Sequence, residues 1–254
     1  MTPSRPIQLY RFQPGGLQPI HAEIVTEIPV DLTVNGESWL TFMCTPQQLE
    51  ALAAGFLYTE DIITESAEIA DVRLCEHGDN VDIWLTHAVE KPSAWTRTSG
   101  CTGGQTGVTA NSPKTAPRQI SLVLSPEKIT QLVARLFEAQ EIYKETGGIH
   151  TTALSDGENV LLSVEDIGRH NTLDKLAGRM LLENVWPEKR VLITTGRISS
   201  EMMQKAGRIG AEFVISRTSP TSQSVELAEE FGITLIGYAR RDRFNIYSHP
   251  ERIQ

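Results

Sequence analysis

The clearest signal for the architecture is the segment Arg190-Val-Leu-Ile-Thr-Thr-Gly-Arg-Ile-Ser-Ser-Glu-Met-Met-Gln-Lys-Ala-Gly-Arg208. Its start, Arg190 to Thr195, is apolar and β-branched, which predicts a buried strand. Gly196 to Ser200 is a polar turn, and Glu201 to Arg208 predicts a helix. The segment is therefore one complete unit of strand, turn and helix, which is the unit that α/β proteins repeat.

The same pattern occurs again immediately downstream. A strand is predicted at Phe213 to Ser216, a polar turn at Arg217 to Ser222 and a helix at Val225 to Phe231. Ile233 to Tyr238 predicts one more strand. This alternation predicts an α/β fold in which helices pack on the faces of a sheet.

A helix and two strands are predicted upstream of these units. Ser125 caps the helix and Pro126 opens it, and its apolar face continues until Gly147-Gly148 ends it. Ile149 to Leu154 and Val160 to Val164 then predict two strands that pair with each other. These elements extend the α/β alternation toward the middle of the chain.

Composition divides the chain into four parts. Residues 1–20 are rich in proline and glycine and predict an irregular N-terminal arm. Residues 21–95 predict a β-rich N-terminal unit with one helix, because Asn35-Gly36 is a strong hairpin signal and Thr45-Pro46 opens a helix. Residues 96–119 form a loop that contains a cysteine, and residues 120–254 form the α/β domain.

Composition also excludes several classes of protein. The chain has 254 residues, of which 40% are hydrophobic and 22% are charged, and its formal net charge is −9. This acidic balance argues against general binding to nucleic acid or to a membrane surface. The sequence shows no apolar run long enough for a membrane span and no signal peptide, so we expect a cytosolic protein.

The cysteines are few and widely separated. Cys44, Cys75 and Cys101 do not form a disulfide framework or a four-ligand zinc site, so no structural metal is expected. The surroundings of Cys44 and Cys75 favour buried structural thiols. Cys101 lies in the segment Arg97-Thr-Ser-Gly-Cys-Thr-Gly-Gly-Gln-Thr-Gly107, in which the glycines on both sides of the cysteine allow close approach of a ligand. From spacing alone, the loop either presents a reactive cysteine or is a flexible connection with an incidental one.

Polar residues that follow strands are candidates for binding anions. The turns containing Arg197 and Arg217 each place hydroxyl groups at a helix N-terminus, an arrangement suited to phosphate, although the same hydroxyls also serve as plain N-caps. Ala239-Arg-Arg-Asp-Arg243 places three arginines at the end of the last strand. This cluster is either a solvated edge or a site that grips phosphate or diphosphate groups.

A further polar cluster, Glu165-Asp-Ile-Gly-Arg-His-Asn171, lies between a strand and a helix built on Leu173 to Leu181. Its carboxylates, Arg169 and His170 are typical of a site that binds anions and moves protons. The alternative is a solvated turn with capping residues. His150, directly after the glycine pair, is either structural or part of the same chemistry.

Taken in chain order, six motifs resemble those of the FdhD family of formate dehydrogenase accessory sulfurtransferases. They are Arg97-Thr-Ser-Gly-Cys101, Gly147-Gly-Ile-His-Thr-Thr-Ala153, Glu165-Asp-Ile-Gly-Arg-His-Asn-Thr-Leu-Asp-Lys175, Thr195-Gly-Arg-Ile-Ser-Ser-Glu-Met202, Ser216-Arg-Thr-Ser-Pro-Thr221 and Gly237-Tyr-Ala-Arg240. The resemblance extends over nearly the whole chain. Six ordered motifs are far more specific than any one of them.

The resemblance implies a cytoplasmic, commonly dimeric protein that receives persulfide sulfur from a cysteine desulfurase. It implies that this sulfur passes to the molybdenum or tungsten bis-molybdopterin guanine dinucleotide cofactor, which formate dehydrogenase needs in sulfurated form and which is bound here as a substrate. It also implies that residues 120–254 form the cofactor-binding domain, similar to cytidine deaminases and built in three layers, beside a smaller β-rich N-terminal domain.

The resemblance also assigns roles to residues. Cys101 matches the cysteine that carries the persulfide, and the cofactor-binding segment matches Tyr238, Ala239, Arg240, Arg241, Asp242 and Arg243. We add Arg197, Arg217 and His170 as further candidates for contacts with the cofactor. The family loop is Cys-x-x-Cys, whereas Gly104 occupies its second cysteine position in this chain, so Cys101 has to act alone.

Two alternatives to the sulfurtransferase remain open. The first is a chaperone that presents the molybdenum cofactor without sulfur chemistry. A weaker candidate is a zinc hydrolase. His21-Ala22-Glu23 matches the first half of the deaminase zinc signature by chance. The second half of that signature, Pro-Cys-x-x-Cys, is absent from the sequence, which argues against deaminase chemistry.

Overall fold

The structure, a computed structural model of the chain, describes residues 1–92, 96–97, 105–106 and 122–254. The strands are β1 (Ser4–Gln13), β2 (Gly16–Val25), β3 (Ile28–Val34), β4 (Glu37–Cys44), β5 (Ile69–Leu74), β6 (Asn80–Leu85), β7 (Thr96–Arg97), β8 (Gln105–Thr106), β9 (His150–Ser155), β10 (Val160–Asp166), β11 (Val191–Thr194), β12 (Phe213–Ser216), β13 (Thr234–Gly237) and β14 (Asn245–Ile246). The helices are α1 (Leu49–Thr59), α2 (Pro126–Glu138), α3 (Ile142–Thr146), α4 (Arg169–Leu182), α5 (Ser200–Ile209) and α6 (Ser222–Phe231).

The main sheet has the strand order β10-β9-β11-β12-β13-β14. Strands β11, β12 and β13 are parallel, so their carboxyl ends lie at one edge of the sheet. Strand β9 is antiparallel to β11 and pairs Thr152 with Thr194, which brings its first residue, His150, to that same edge. The last residue of β10, Asp166, pairs with His150. The polar segments predicted to carry function therefore converge at one edge.

Helices cover both faces of this sheet, which confirms the predicted α/β class. Alternate residues of each strand point to opposite faces. Val191 and Ile193 of β11 pack in the same apolar cluster as Ile129 and Leu132 of α2. Leu192, between them, packs in the other cluster with residues of α4, α5 and α6. The domain therefore has three layers, with α2 on one side of the sheet and α4 to α6 on the other.

The N-terminal unit is a four-stranded sheet, β4-β3-β6-β5, with α1 packed against it. Helix α1 also packs against α4 with an unusually close approach, because a Cβ atom built on Gly55 would lie 1.7 Å from the carbonyl oxygen of Asp174. The apolar cluster that contains Leu32 of β3 continues without interruption to Leu192 of β11. The two parts of the chain thus share one core.

The predicted irregular arm at residues 1–20 is wrong. Strands β1 and β2 form a regular hairpin with pairs from Ser4 opposite Val25 to Gln13 opposite Gly16. Gly15 and Gly16 take positive φ values of 122° and 126° and form its turn. The prolines are compatible with this hairpin because both strands of a two-stranded sheet are edges, where a missing N–H costs little.

Two smaller predictions are also corrected. The single helix expected before Gly147 is divided into α2 and α3. Cys75, expected to be buried, is partly exposed and its thiol donates to Asp79 at 2.9 Å, whereas Cys44 is fully buried as expected. Within the described part of the chain, no helix is long and apolar enough to cross a membrane.

Candidate functional site

A cavity of about 390 Å³ opens at the carboxyl edge of the parallel strands, and we call it the inner cavity. Its lining residues are Tyr143, Gly147, Gly148, Ile149, His150, Ile167, Thr195, Arg217, Thr218 and Arg240. A neighbouring cavity of about 450 Å³, the arginine cavity, is lined by Phe137, Arg217, Arg240, Arg241, Asp242 and Arg243.

Arg217 and Arg240 line both cavities. The guanidinium of Arg217 lies 4.3 Å from the ring centroid of Phe137, and Nη1 of Arg240 donates to the carbonyl oxygens of Arg217 and Ala239. Burial and the charge of Arg240 lower the pKa of Arg217. Among the described residues, neither arginine has a carboxylate within 4.0 Å. The positive charge between the cavities is therefore not neutralised by those residues, which suits an anionic ligand.

A strained turn places Arg240 at this edge. Tyr238 has a φ of 52°, a left-handed conformation that is rare for a bulky residue. Its N–H donates to the carbonyl of Thr218 at 3.0 Å, and the next residue, Ala239, donates to Ser216 at 3.0 Å. The chain after β13 is thereby tied to the turn after β12, and Arg240 is held next to Arg217.

His150 lies at the boundary of the inner cavity and is half-buried. Its Nδ1 is 3.4 Å from the hydroxyl oxygen of Thr195, which in turn accepts the N–H of Thr151 at 3.0 Å. Burial and the charges of Arg169 and Arg197 lower the pKa of His150, although Asp166 opposes them. The ring is consequently neutral at neutral pH.

Glu165 caps α3, the short helix that leads into the lining of the inner cavity. Its carboxylate is buried and accepts the backbone N–H groups of Glu141, Ile142 and Tyr143 at 2.9, 2.8 and 3.0 Å. These are donors that the first turn of a helix leaves without partners. Helix α3 starts at this carboxylate and ends at Gly147, with a φ of 68°, where the cavity wall begins. This capping explains why one predicted helix is two.

The structure separates the predicted site residues into groups. Arg217, Arg240, Arg241, Asp242 and Arg243 line the cavities described above. Tyr238 is 46% exposed and Ala239 is buried. Both are absent from the linings of these two cavities, although they position Arg240. Cys101 and Gly104 lie outside the described residues.

His170 and Arg197 are not brought into either of these cavities. His170 is 6% exposed, and its Nε2 is 3.4 Å from the hydroxyl of Ser199. Burial and the charge of Arg169 lower the pKa of His170 to about 3, so its ring is neutral. Arg197 is exposed, near enough to His150 to affect its pKa. The position of His170 indicates a structural residue between α4 and α5.

The hydroxyl groups of the two polar turns are used as helix caps. The hydroxyl of Ser199 accepts the N–H of Met202 in α5, and the hydroxyl of Thr221 accepts the N–H of Ser224 in α6. The sequence offered either capping or phosphate binding for these groups, and the structure shows capping. Of the residues in these two turns, Arg217 and Thr218 line the cavities, whereas Arg197, Ser199 and Thr221 do not.

Four residues of the site escaped the sequence reasoning: Phe137, Tyr143, Thr195 and Thr218. Thr195 and Thr218 lie within quoted motifs but were not named as site residues, and none of the four side chains has a charge that would mark it. Phe137 is part of the apolar face of α2, and its contact with Arg217 joins residues far apart in the chain. Its role at the site can be recognised only once the fold is known.

Comparisons with known proteins agree with one another. The curated relatives include the sulfur carrier protein FdhD of Bacillus subtilis, 36% identical over 97% of this chain and 96% of that protein. They also include the sulfur carrier protein FdhD of Staphylococcus aureus strain MRSA252, 37% identical over 96% of this chain and 94% of that protein.

A solved structure shows that the similarity extends to the fold. The crystal structure of a putative formate dehydrogenase accessory protein from Desulfotalea psychrophila matches with a TM-score of 0.80 and 26% sequence identity, covering 99% of both chains. The sequence model of the FdhD/NarQ family matches residues 25–254. With nearly its full length matched in sequence and in structure, the chain belongs to the FdhD/NarQ family.

Proposed function

We propose that this protein is a sulfurtransferase that carries persulfide sulfur on Cys101 to the bis-molybdopterin guanine dinucleotide cofactor of formate dehydrogenase. Support comes from relatives named sulfur carrier proteins and from a structural neighbour described as a formate dehydrogenase accessory protein. The cofactor, with molybdenum or tungsten, is the substrate. A cysteine desulfurase is the sulfur donor, and the site of action is the cytoplasm, with a homodimer as the acting form.

The observation that carries the proposal is the pair Arg217 and Arg240 between two cavities. Each cavity, of about 390 and 450 Å³, falls within the size range of small-molecule sites, roughly 300–1,000 Å³. A dinucleotide has a diphosphate in its middle and a larger group on each side. Arginines grip phosphate oxygens through paired N–H donors, so a diphosphate at this pair would leave the flanking groups in the two cavities.

The chemistry of Cys101 is that of a persulfide carrier. Its thiolate attacks the outer sulfur of the donor persulfide, a new S–S bond forms, and the donor cysteine leaves as a thiolate. A neighbouring cation would favour the attacking thiolate. Gly104 means that this loop has no second thiol, so the sulfur passes directly from Cys101 to the bound cofactor.

Mass spectrometry tests the sulfur step. The protein is incubated with a cysteine desulfurase and cysteine, and peptides are analysed without reduction. We expect one added sulfur atom on Cys101 and none on Cys44 or Cys75, which serve as internal controls. A Cys101 peptide without added sulfur, under conditions in which the desulfurase itself is loaded, would contradict the proposal.

The second candidate is a chaperone that binds the cofactor without sulfur chemistry, and the single loop cysteine favours it. The two functions differ in the variant Cys101→Ala. The sulfurtransferase loses its activation of formate dehydrogenase, whereas the chaperone retains it. Arg240→Ala is expected to weaken cofactor binding in either case.

A further inference from the structure

The imidazole of His150 lines the inner cavity together with two arginines, Arg217 and Arg240. We propose that His150 is the acid–base group of this cavity and takes up a proton when the diphosphate of a guanine nucleotide binds there. The identity of the ligand rests on the proposed function. The assignment of His150 rests on its position, its hydrogen bond and the charges around it.

Thr195 allows the ring of His150 to change its protonation state without losing a hydrogen bond. The hydroxyl oxygen of Thr195 accepts the N–H of Thr151 at 3.0 Å, and Nδ1 of His150 lies 3.4 Å away. A hydroxyl has one proton to donate and two lone pairs to accept. It therefore donates to Nδ1 of the neutral ring and, after rotation, accepts from the N–H of the charged ring.

Charged groups on several elements affect the pKa of His150. Asp166 at the end of β10 favours the protonated ring, whereas Arg169 at the start of α4 and Arg197 after β11 oppose it. The carboxylate of Asp166 already pairs with Lys175 at 2.7 Å. Arg217, Arg240 and Tyr143 of α3 line the same cavity as His150.

The balance around the ring is therefore positive before a ligand binds. A bound diphosphate places negative charge between the arginines and His150. An opposite charge within about 4–6 Å raises a histidine pKa by roughly 1–3 units. The proton taken up gives the cavity an N–H donor directed at the phosphate oxygens, and its release accompanies departure of the ligand.

Proton uptake on binding determines how the ligand affinity changes with pH. A ligand that raises the pKa of His150 binds more tightly as the pH falls through the range between the free and bound pKa values, because the bound form holds the extra proton. The affinity rises by up to about tenfold per pH unit in that range. Above both pKa values the effect disappears.

The test is a titration of the histidine ring signals by NMR, with guanosine 5′-diphosphate as the probe. The spectrum of His150→Gln identifies the signal of His150 in the full-length protein. We expect the pKa of His150 to rise by about one unit or more when the probe saturates the protein. An unchanged pKa in the saturated protein would overturn the assignment while leaving the proposed function intact.

Calorimetry provides a second measurement. Binding heats are recorded in two buffers of different ionisation enthalpy, at a pH midway between the free and bound pKa values of His150 found by NMR. The terminal phosphate of the probe, with a pKa of about 6, also exchanges protons in this range, and it does so with both the wild type and His150→Gln. We expect more proton uptake in the wild type than in His150→Gln. The same uptake in both proteins overturns the assignment. A probe that does not bind the wild type overturns it together with the proposed ligand, whereas the sulfur loading of Cys101 is tested separately.

Discussion

The buried lysines Lys175 and Lys205 differ from the cavity arginines Arg217 and Arg240 in the groups that neutralise their charges. Lys205 is 3% exposed, and its Nζ lies 2.6 Å from Asp174, 3.0 Å from Glu60 and 3.0 Å from the hydroxyl of Thr59. Lys175 is fully buried and lies 2.7 Å from Asp166. Each lysine thus has carboxylates from the same chain, and together they join α1, α4 and α5 with the end of β10.

The arginines at the cavities have a different environment. Arg217 packs on Phe137 and Arg240 donates to two carbonyl oxygens, while the described residues provide neither with a carboxylate. Burying a charge is costly unless it is paired. The comparison indicates that the paired lysines stabilise the fold, whereas the charges of the arginines are available for the anionic ligand proposed above.

The largest expected effect follows from removing one member of the lysine network. Lys205→Met leaves Asp174 and Glu60 buried without their cation. Breaking such a buried pair costs about 3–5 kcal/mol. Urea denaturation monitored by circular dichroism measures this loss as a change in the free energy of unfolding.

Arg217→Met is the matched control. The change removes a charge of the same sign and retains an apolar chain against Phe137, but it leaves no carboxylate unpaired among the described residues. We expect a change in the free energy of unfolding of less than about 1 kcal/mol. Equal losses in the two variants would show that the distinction between the pairs is wrong.

Ligand binding is expected to respond in the opposite order. Arg217→Met removes charge-assisted hydrogen bonds, each worth about 1.5–3 kcal/mol, so the affinity for guanosine 5′-diphosphate falls by roughly 10- to 100-fold. Isothermal titration calorimetry measures it. Arg73→Met, at an exposed position on β5, is the control and retains full affinity. A similar loss in both variants would mean that only net charge matters.

The two histidines extend the comparison to pH. His170 is buried between α4 and α5, and its pKa is lowered to about 3. An unfolded chain protonates this ring below about pH 6.5, whereas the folded chain does not until about pH 3. The stability that His170 contributes is therefore complete above pH 6.5 and is lost as the pH falls toward 3, by about 1.4 kcal/mol per pH unit.

Denaturation of His170→Gln between pH 4 and 7 measures this contribution, because other groups titrate equally in both proteins. We expect a shallower dependence of stability on pH in the variant. His150→Gln, at the cavity, is expected to change the pH dependence of ligand binding much more than that of unfolding. The same slope for wild type and His170→Gln would show that His170 is accessible to protons in the folded state.

Local patterns predicted much of the fold. The strand predicted at Arg190 to Thr195 and the helix predicted at Glu201 to Arg208 are confirmed, as Val191–Thr194 and Ser200–Ile209. The hairpin of residues 4–25 was not predicted, because its prolines and glycines indicate irregular structure unless both strands are known to be edges. Propensity describes a residue and its neighbours, whereas edge position is a property of the whole sheet.

The charged residues of the site could be predicted from the sequence, whereas the contacts that bring them together could not. The arginines from 240 to 243 were identified from their density after a strand, and Arg217 from its place in a turn. Their convergence depends on the left-handed turn at Tyr238, which no sequence pattern indicated. The capping role of Glu165 escaped for a similar reason, since its partners lie more than 20 residues away in the chain. Cys101 stays a prediction.

Glu165 gives the smallest expected effect and tests whether a buried carboxylate that caps a helix also affects ligand binding in the cavity. Glu165→Gln keeps the shape of the side chain but replaces one accepting oxygen with a donor, so it loses an acceptor for the N–H groups of Glu141, Ile142 or Tyr143. We expect a loss of about 1 kcal/mol in stability. Because α3 leads into the cavity wall, we also expect a few-fold weaker affinity for guanosine 5′-diphosphate.

Glu183→Gln is the control for this variant. Glu183 pairs with Arg179 on the exposed surface of α4, and such a pair contributes only about 0.3–0.5 kcal/mol. If Glu165→Gln lowers stability but leaves the affinity unchanged, α3 is held by its other contacts and the carboxylate only stabilises the fold. If the affinity falls as well, the carboxylate that caps α3 also positions residues of the cavity that Arg217 and Arg240 line.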